Sequence, residues 1–443
     1  MNDKAGLCEP FVFFNAGFSS MPVFLQCRFG VADLSAILVI CWLYTKLTSS
    51  RSTGFYALSI NCPLWHLLFD LFITYHWQNV SQIIEMRVLP VSNLKIIAGP
   101  KAYRHIRNNG LNPDDVSAVF AASGAAKWLS IYGLDRAIFE TWLAGRDSPL
   151  HLYGTSIGAW KLAAAAERQP GEALERLAVA YMAQVYDKKV KPEVVAEQAV
   201  RILDDYLSDG QIDEVLQHPQ YKLHIGLIRS KGLLASDHFV RLSLAMLQAA
   251  LLNVTGRNSL TGLFERVVFS SHPDLLPVFQ GDRFRTECHQ LENANFRQAL
   301  LATASIPLVL PAVRSIAGVS DGYYRDGGVL DYHPVPSLMT HFDGLILYPH
   351  FYPHLVPGWF DKFYQSRIAP AYLINNVVIL APSPEFVKAL PYGRISDRKD
   401  FTRLDDGERM RVWQQCVDAS LKLGEEFLAL AQSGDIAGRV ECA

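Results

Sequence analysis

The residues with the clearest potential for chemistry surround Ser156. Gly154, Ser156 and Gly158 form a G-x-S-x-G pattern within Leu150-His-Leu-Tyr-Gly-Thr-Ser-Ile-Gly-Ala-Trp160. A serine on a tight strand-to-helix turn has strained backbone angles, and glycines two residues away on either side prevent collisions with the neighbouring backbone. The segment that follows, Ala159-Trp-Lys-Leu-Ala-Ala-Ala-Ala-Glu167, is strongly helix-forming. The pattern therefore predicts a serine nucleophile at a helix N-terminus, where backbone amides favour developing negative charge.

Such a serine needs a base, and the best candidate is Asp326. It lies in Tyr323-Tyr-Arg-Asp-Gly-Gly-Val-Leu-Asp-Tyr-His-Pro-Val335. Gly327 and Gly328 let the backbone turn sharply there and give a neighbour close access to the carboxylate. A carboxylate within hydrogen-bond reach can itself accept the serine proton. The alternative is a Ser-His-Asp triad, for which thirteen histidines are available and His333 is a candidate.

A third segment, Val116-Ser-Ala-Val-Phe-Ala-Ala-Ser-Gly-Ala-Ala-Lys-Trp128, runs from an apolar strand through small residues into a helix. Gly124, Ala125 and Ala126 leave their N–H groups uncovered at the start of that helix. An oxyanion hole for a tetrahedral acyl intermediate requires such groups. Lys127 adds a positive charge nearby.

Two further clusters invite a functional interpretation. In Tyr348-Pro-His-Phe-Tyr-Pro-His354 a proline between the histidines breaks the helix that would pair them, and no carboxylate occupies the H-E-x-x-H position, so we predict no metal site. Trp359, Phe360 and Phe363 follow this segment. Together they are predicted to form an aromatic wall beside a pocket or a contact with lipid, and core packing is the alternative. Asp321-Gly322 is interpreted as a turn.

The elements that must position these residues begin near residue 93, where short β-branched apolar runs alternate with longer helical patterns, as in a layered α/β domain. The predicted strands are 94–98, 116–122, 150–154, 222–228, 266–269, 345–348 and 377–380. The predicted helices are 100–109, 127–144, 157–168, 172–186, 192–207, 238–252 and 406–432. Residues 187–191 are predicted to form a solvated loop.

Composition excludes some classes of function. Lys and Arg number 41 against 43 Asp and Glu, and no basic stripe is interleaved with aromatic residues, so nucleic acid is not an expected partner. The seven cysteines have no paired short spacing, which indicates reduced thiols in a cytosolic setting.

Residues 1–92 form a separate N-terminal extension. Its first 85 residues contain 15 aromatic but only nine charged side chains. No stretch in it reaches the roughly 20 apolar residues of a spanning helix, and a secretory signal peptide fits poorly. The extension is interpreted as a disordered or non-native leader before Met86, or as a segment that contacts a membrane peripherally.

The three ordered motifs resemble those of the patatin-like phospholipases, and Ala304-Ser-Ile-Pro-Leu-Val-Leu-Pro311 is similar to a segment that these proteins carry shortly before their aspartate. The resemblance covers roughly residues 93–432. It implies a Ser-Asp dyad of Ser156 and Asp326 and oxyanion amides at Gly124, Ala125 and Ala126. Trp128 stands where many members have a glycine.

The expected fold is a three-layer α/β/α domain, residues 93–443, around a largely parallel sheet, with the active site at the carboxyl ends of the strands. The expected function is that of a serine lipid acyl hydrolase that works through an acyl-enzyme and needs no cofactor. The expected location is cytoplasmic or peripheral on a membrane. Two alternatives stay open, namely a Ser-His-Asp esterase and a non-catalytic lipid-binding protein in which Trp128 blocks the oxyanion loop.

Overall fold

The fold is known from a computed structural model that describes residues 92–186, 190–272, 282–335 and 344–443. All of these residues belong to one structural unit. Of the predicted N-terminal extension only Ser92 is described, and of the predicted loop at 187–191 only Val190 and Lys191. The boundary near residue 92 therefore stays a prediction.

A ten-stranded sheet forms the centre of the described part of the chain. Its strands are β1 (Leu94–Ala98), β2 (Val116–Ala121), β3 (Leu150–Thr155), β4 (Tyr221–Ser230), β5 (Phe264–Ser270), β6 (Thr286–Gln290), β7 (Tyr323–Asp326), β8 (Leu345–Pro349), β9 (Val377–Pro382) and β10 (Val440–Cys442). They are arranged in the order β10-β1-β9-β8-β2-β3-β4-β5-β6, and β7 pairs with β4. The run from β9 to β4 is parallel, whereas β1 is antiparallel to β9, and β5 and β7 are antiparallel to β4. The predicted largely parallel sheet is confirmed.

Helices cover both faces of the sheet, which confirms the predicted three-layer α/β/α fold. They are α1 (Pro100–Asn109), α2 (Tyr132–Arg136), α3 (Ile157–Ala165), α4 (Pro170–Met182), α5 (Pro192–Tyr206), α6 (Asp209–Leu216), α7 (Phe239–Asn253), α8 (Asn293–Thr303), α9 (Pro384–Ala389), α10 (Asp400–Arg403), α11 (Asp406–Ser433) and α12 (Ile436–Arg439). Among the described residues, none of these helices is both long and apolar enough to cross a bilayer.

Burial explains why the central strands are continuous apolar runs. Every residue of β8 and β9 is buried, as expected of parallel strands that are covered by helices on both faces. In contrast, β6 has the polar sequence Thr-Glu-Cys-His-Gln and lies at the edge of the sheet with its side chains partly exposed. The three described cysteines, Cys288, Cys416 and Cys442, are not in disulfides.

The predicted regular helix at 127–144 is wrong. A 3₁₀ helix, Ala125–Ile131, leads into α2, and a π-helical turn, Ala137–Trp142, follows. Serine side chains compete for backbone groups here, because the amide of Gly133 donates to Ser420 Oγ (2.8 Å) and Ser396 Oγ donates to the carbonyl of Ala126 (2.7 Å). These contacts with distant parts of the chain have no signal in the local sequence.

A second, smaller apolar cluster lies beside the main core, under α7. It packs Leu242, Ala245 and Ala249 of this helix against Phe264 and Phe360. This cluster brings α7 to the same side of the fold as the segment that contains Asp326, because Val329 and Leu330 belong to it as well.

Candidate functional site

Ser156 lies on a strained turn between β3 and α3. Its backbone angles are φ 54° and ψ −134°, a conformation that non-glycine residues rarely adopt. A Cβ atom at Gly154 would lie 2.6 Å from the nitrogen of Ala159, and one at Gly158 would lie 2.5 Å from the carbonyl oxygen of Ala121. Both glycines are therefore required by the close approach of neighbouring backbone, in agreement with the physical argument made from the sequence.

Asp326 lies opposite the serine. It is the last residue of β7, and its Oδ2 accepts a hydrogen bond from Ser156 Oγ at 2.8 Å. Its other oxygen, Oδ1, accepts from the amide of Gly328 at 2.7 Å. Both side chains are 6% exposed. The structure thus brings together two residues that are 170 positions apart in the sequence, in a geometry suited to proton transfer.

Burial sets the acidity of Asp326. Removal from water raises the pKa of this carboxyl to about 6, and the hydrogen bonds from Ser156 and Gly328 together with the charge of Arg398 only partly oppose that rise. A carboxylate with this pKa is ionised at neutral pH and is more basic than an exposed aspartate. It is therefore better suited to accept a proton.

The small residues after β2 lie beside the dyad. Gly124 and Ala125 line the same cavity as Ser156, and Ala125 has a positive φ of 50°. As the first residue of a 3₁₀ helix, Ala125 has an amide that no helical carbonyl can accept. Ala126 is completely buried and does not line the cavity, whereas Lys127 does.

Trp128 is directed away from the site. Its ring is 1% exposed and packs edge-on against Tyr132 and Tyr181, with centroid distances of 6.3 and 6.2 Å. It does not line the cavity that contains Ser156. The indole therefore serves as core packing behind the loop and leaves the loop's cavity face uncovered.

His333, the triad candidate, also lines this cavity but does not contact the serine. It is fully buried, and its Nδ1 accepts a hydrogen bond from the amide of Val356 at 2.9 Å. Burial and the neighbouring His350 hold the pKa of His333 well below its usual range. Its structural neighbours thus favour a neutral imidazole that holds the segment around Val356.

The cavity has a volume of about 760 Å³ and a wall that is largely apolar. Besides Ala125, its apolar lining residues are Met246, Leu247, Ala250, Ile306, Pro307, Leu308, Val329, Val356, Trp359, Phe360 and Phe363. The segment Ala304–Pro311 contributes to this wall, as do the three aromatic residues at 359–363. The cavity is large enough for a drug-sized or acyl-chain ligand.

Four cations also line the cavity: Lys127, Lys362, Arg398 and Lys399. Lys127 forms an ion pair with Asp397 at 2.7 Å. The ammonium group of Lys362 lies 3.9 Å from the centre of the Trp359 ring. Partial burial of this group, together with the charges of Lys127, Arg398 and Lys399, lowers the pKa of Lys362 to about 8. The cavity therefore combines an apolar wall with a positive potential.

The sequence did not reveal the residues that hold the dyad in place. The amide of Ser156 donates to Thr303 Oγ1 at 2.8 Å, and Thr303 in turn donates to the carbonyl of Gly226. Thr303 is the last residue of α8, which was not predicted although Phe296, Ala299, Leu300 and Thr303 follow a helical spacing. That spacing was the signal that could have located it.

A buried ion pair anchors the segment after Asp326. Asp331 accepts two hydrogen bonds from Arg266 (2.7 and 3.0 Å) and one from Arg257 (3.0 Å). Its carbonyl accepts from Thr155, the residue before Ser156 (2.7 Å). Asp331 and Arg266 are almost completely buried. Asp331 thus ties the carboxylate segment to the turn that carries Ser156.

The remaining candidates take other places. Asp321 lies at an exposed bend, where it accepts from Ser315 Oγ (2.7 Å). His350 is buried and its Nδ1 accepts from the amide of Tyr352 (2.8 Å). Within the described ranges, no group of three or more His, Cys, Asp or Glu side chains could hold a metal ion.

A strained serine follows one strand of the α/β/α sheet, a buried aspartate contacts it, and a largely apolar cavity surrounds both. This arrangement is suited to acyl transfer through a serine nucleophile. The family model for patatin-like phospholipases matches residues 118–339, which is half of the chain. The chain belongs to the patatin-like phospholipase family. No curated protein and no solved structure matches it.

Proposed function

We propose that this protein hydrolyses the carboxylic esters of lipids through an acyl-enzyme on Ser156, with Asp326 as the base. The observation that carries the proposal is the 2.8 Å hydrogen bond from Ser156 Oγ to the buried carboxylate of Asp326. Since the cavity around this bond is largely apolar, an acyl chain is the substrate group that it would bury most favourably.

In the first half of the reaction, Asp326 takes the proton of Ser156 as Oγ attacks the ester carbonyl. The oxyanion that forms is stabilised by backbone amides of the loop at Gly124 and Ala125, with Lys127 adding positive charge nearby. When the intermediate collapses, the carbon–oxygen bond to the alcohol breaks and protonated Asp326 returns its proton to the leaving oxygen. The products are the alcohol and an ester on Ser156.

In the second half, Asp326 takes a proton from water, whose oxygen attacks the acyl-enzyme. Collapse of the second tetrahedral intermediate releases the fatty acid and returns the proton to Ser156 Oγ. Every step uses side chains and backbone amides of this chain together with water, and the proposed mechanism requires no cofactor.

Three substitutions test the proposal. Ser156→Ala and Asp326→Asn are each expected to lower turnover of a short p-nitrophenyl ester by about 10³-fold or more. Asp321→Asn is the matched control, because Asp321 is an exposed aspartate in a second Asp-Gly pair and its replacement should leave turnover unchanged. Full activity in either dyad variant would refute the proposed mechanism.

His333→Asn separates the dyad from a Ser-His-Asp triad. The asparagine Oδ1 can replace His333 Nδ1 as acceptor for the amide of Val356, so the fold is preserved while the imidazole is lost. The dyad predicts turnover close to that of the unmodified protein, whereas a triad predicts a loss as large as that of Ser156→Ala.

Covalent labelling separates an enzyme from a non-catalytic lipid-binding protein. A fluorophosphonate probe is expected to label the protein and to fail with Ser156→Ala. Absence of labelling in the unmodified protein would favour a binding role. A panel of phospholipids and neutral lipid esters, assayed by release of fatty acid, then identifies the substrate class.

A further inference from the structure

Helix α7 has an apolar face on each of its two sides. Leu242, Ala245 and Ala249 face inward and are buried in the smaller apolar cluster. On the outside, Val240, Leu244, Leu247 and Leu251 are each more than half exposed. We call these four residues the outer face. A helix that is apolar all round is normally buried on all sides, so this exposure requires an explanation.

The spacing shows that the outer face is continuous. Its members are separated by four, three and four positions, which places them in one stripe along the helix. Phe239 at the start of α7 is 69% exposed. The helix contains no acidic residue and a single basic one, Arg241. Contiguous apolar patches of this kind mark interaction sites rather than ordinary protein surface.

The outer face reaches the entrance of the cavity that holds Ser156. Leu247 belongs to both, and Met246 and Ala250 of the same helix also line the cavity. Phe363, 71% exposed, lines the cavity as well. An apolar partner that covers the outer face therefore also meets the opening through which a substrate enters.

Cations line the same cavity. Lys362, Arg398 and Lys399, which we call the cationic rim, have no carboxylate within ion-pair distance among the described residues. Among the described residues that line the cavity, Asp326 and Asp397 are acidic. Asp397 is paired with Lys127. An apolar stripe next to uncompensated positive charge is the surface pattern of proteins that lie on anionic lipid.

We propose that the outer face of α7 and the cationic rim dock the protein on an anionic lipid surface, with the entrance to the Ser156 cavity directed at the lipid. The proposal rests on the proposed function, because a lipid ester reaches Ser156 through this entrance. It identifies the physical form of the substrate, namely lipid in a bilayer or another aggregate with negative surface charge.

Charge favours lipid over other partners for this surface. Among the first 85 residues of the chain, five are acidic and four are basic, so that segment offers little net charge to the cationic rim. A second copy of the chain would bring its own cations to the contact, and like charges repel. An anionic lipid surface supplies both the apolar volume and the negative charge.

The test measures binding without turnover, so that it is independent of the proposed catalysis. Full-length Ser156→Ala protein is mixed with phosphatidylcholine vesicles, with or without added phosphatidylserine, and the bound fraction is measured by sedimentation. Binding is expected to be stronger with phosphatidylserine. Adding Leu244→Glu and Leu251→Glu should weaken binding to both vesicle types by at least about tenfold.

Two matched variants make the result specific. Val179→Glu with Leu421→Glu places two glutamates at exposed apolar positions of α4 and α11, away from the cavity lining, and vesicle binding should not change. Lys362→Gln with Lys399→Gln should remove most of the preference for phosphatidylserine, at roughly fivefold per charge, and should leave binding to phosphatidylcholine unchanged.

The two double glutamate variants, Leu244→Glu with Leu251→Glu and Val179→Glu with Leu421→Glu, are also made in the protein that retains Ser156. Both should turn over a short water-soluble ester as fast as the unmodified protein does. Equal vesicle binding by the two pairs would overturn the proposal. So would a protein dimer that forms without lipid and is dissociated by Leu244→Glu and Leu251→Glu, since a second copy would then be the occupant. If the unmodified protein binds vesicles as expected but does not turn over the ester, the proposed catalysis alone is refuted.

Discussion

Asp326→Asn is expected to have opposite effects on activity and stability. Asparagine has the shape of aspartate, so its Oδ1 can accept from the amide of Gly328 and its Nδ2 can lie beside Ser156 Oγ, in place of the two hydrogen bonds of the carboxylate. The substitution removes the proton acceptor and the buried negative charge and leaves the packing unchanged. Turnover should fall by about 10³- to 10⁴-fold.

The gain in stability follows from the pKa. Burial raises the pKa of Asp326 from the ordinary 3.8 to about 6, and each pKa unit corresponds to about 1.4 kcal/mol. Between these two pH values the folded chain holds a proton that the unfolded chain has released, so the free energy of unfolding decreases as the pH rises through this window. At neutral pH the ionised carboxylate therefore costs the fold about 3 kcal/mol, and asparagine should recover about 1–3 kcal/mol of it.

Urea denaturation at neutral pH and near pH 4 measures this effect beside ester turnover. The variant should be more stable than the unmodified protein at neutral pH, and the difference should shrink at the lower pH, where Asp326 is protonated in the folded state. Asp321→Asn, at an exposed bend, should change neither quantity. A variant that is less stable than the unmodified protein at neutral pH would refute the argument from burial.

Three further predictions concern the site and its supports. First, kcat/KM for an uncharged ester should rise with pH through about 6 as Asp326 loses its proton; a rise centred near 7 that disappears in His333→Asn would instead identify the histidine as the base. Second, Thr303→Val removes the acceptor for the Ser156 amide and should lower kcat by roughly tenfold with little change in KM. Thr303→Ser keeps a hydroxyl and should retain activity. Equal kinetics in both variants would argue against a positioning role for Thr303. Third, Arg266→Met leaves Asp331 with an incomplete set of buried partners and should lower the free energy of unfolding by about 3–5 kcal/mol, measured by denaturant titration; an unchanged midpoint would show that Arg257 alone compensates the charge.

The parts of the fold that could be predicted from the sequence are those with strong local signals. The bounds of β1 and α1 were predicted correctly because a buried apolar run, a proline at the start of the helix and Gly110 at its end are all adjacent in the chain. The turn at Ser156 was predicted for the same reason, since both glycines that it requires lie within two residues of the serine.

The parts that could not be predicted depend on partners far away in the sequence. β7 has only four residues, and its pairing with β4 cannot be inferred from its own pattern. Thr303 acts on Ser156 across 147 positions, and Arg266 binds Asp331 across 65. The interrupted helix after Gly124 likewise depends on Ser396 and on side chains of α11.

Two aspartates five residues apart illustrate how environment assigns a role to each carboxylate. Asp326 is buried with hydrogen bonds from Ser156 and Gly328 but with no bonded cation, so its negative charge is incompletely stabilised and its affinity for a proton is raised. Asp331 is equally buried but is held by Arg266 and Arg257, so its charge is compensated by two guanidinium groups. The first arrangement yields a carboxylate that is suited to accept a proton and that destabilises the fold, and the second yields an anchor that fixes the segment between them. The short sequence Asp-Gly-Gly-Val-Leu-Asp thus contains both the proposed base and the carboxylate that holds its segment against Ser156, because only one of the two accepts hydrogen bonds from arginine.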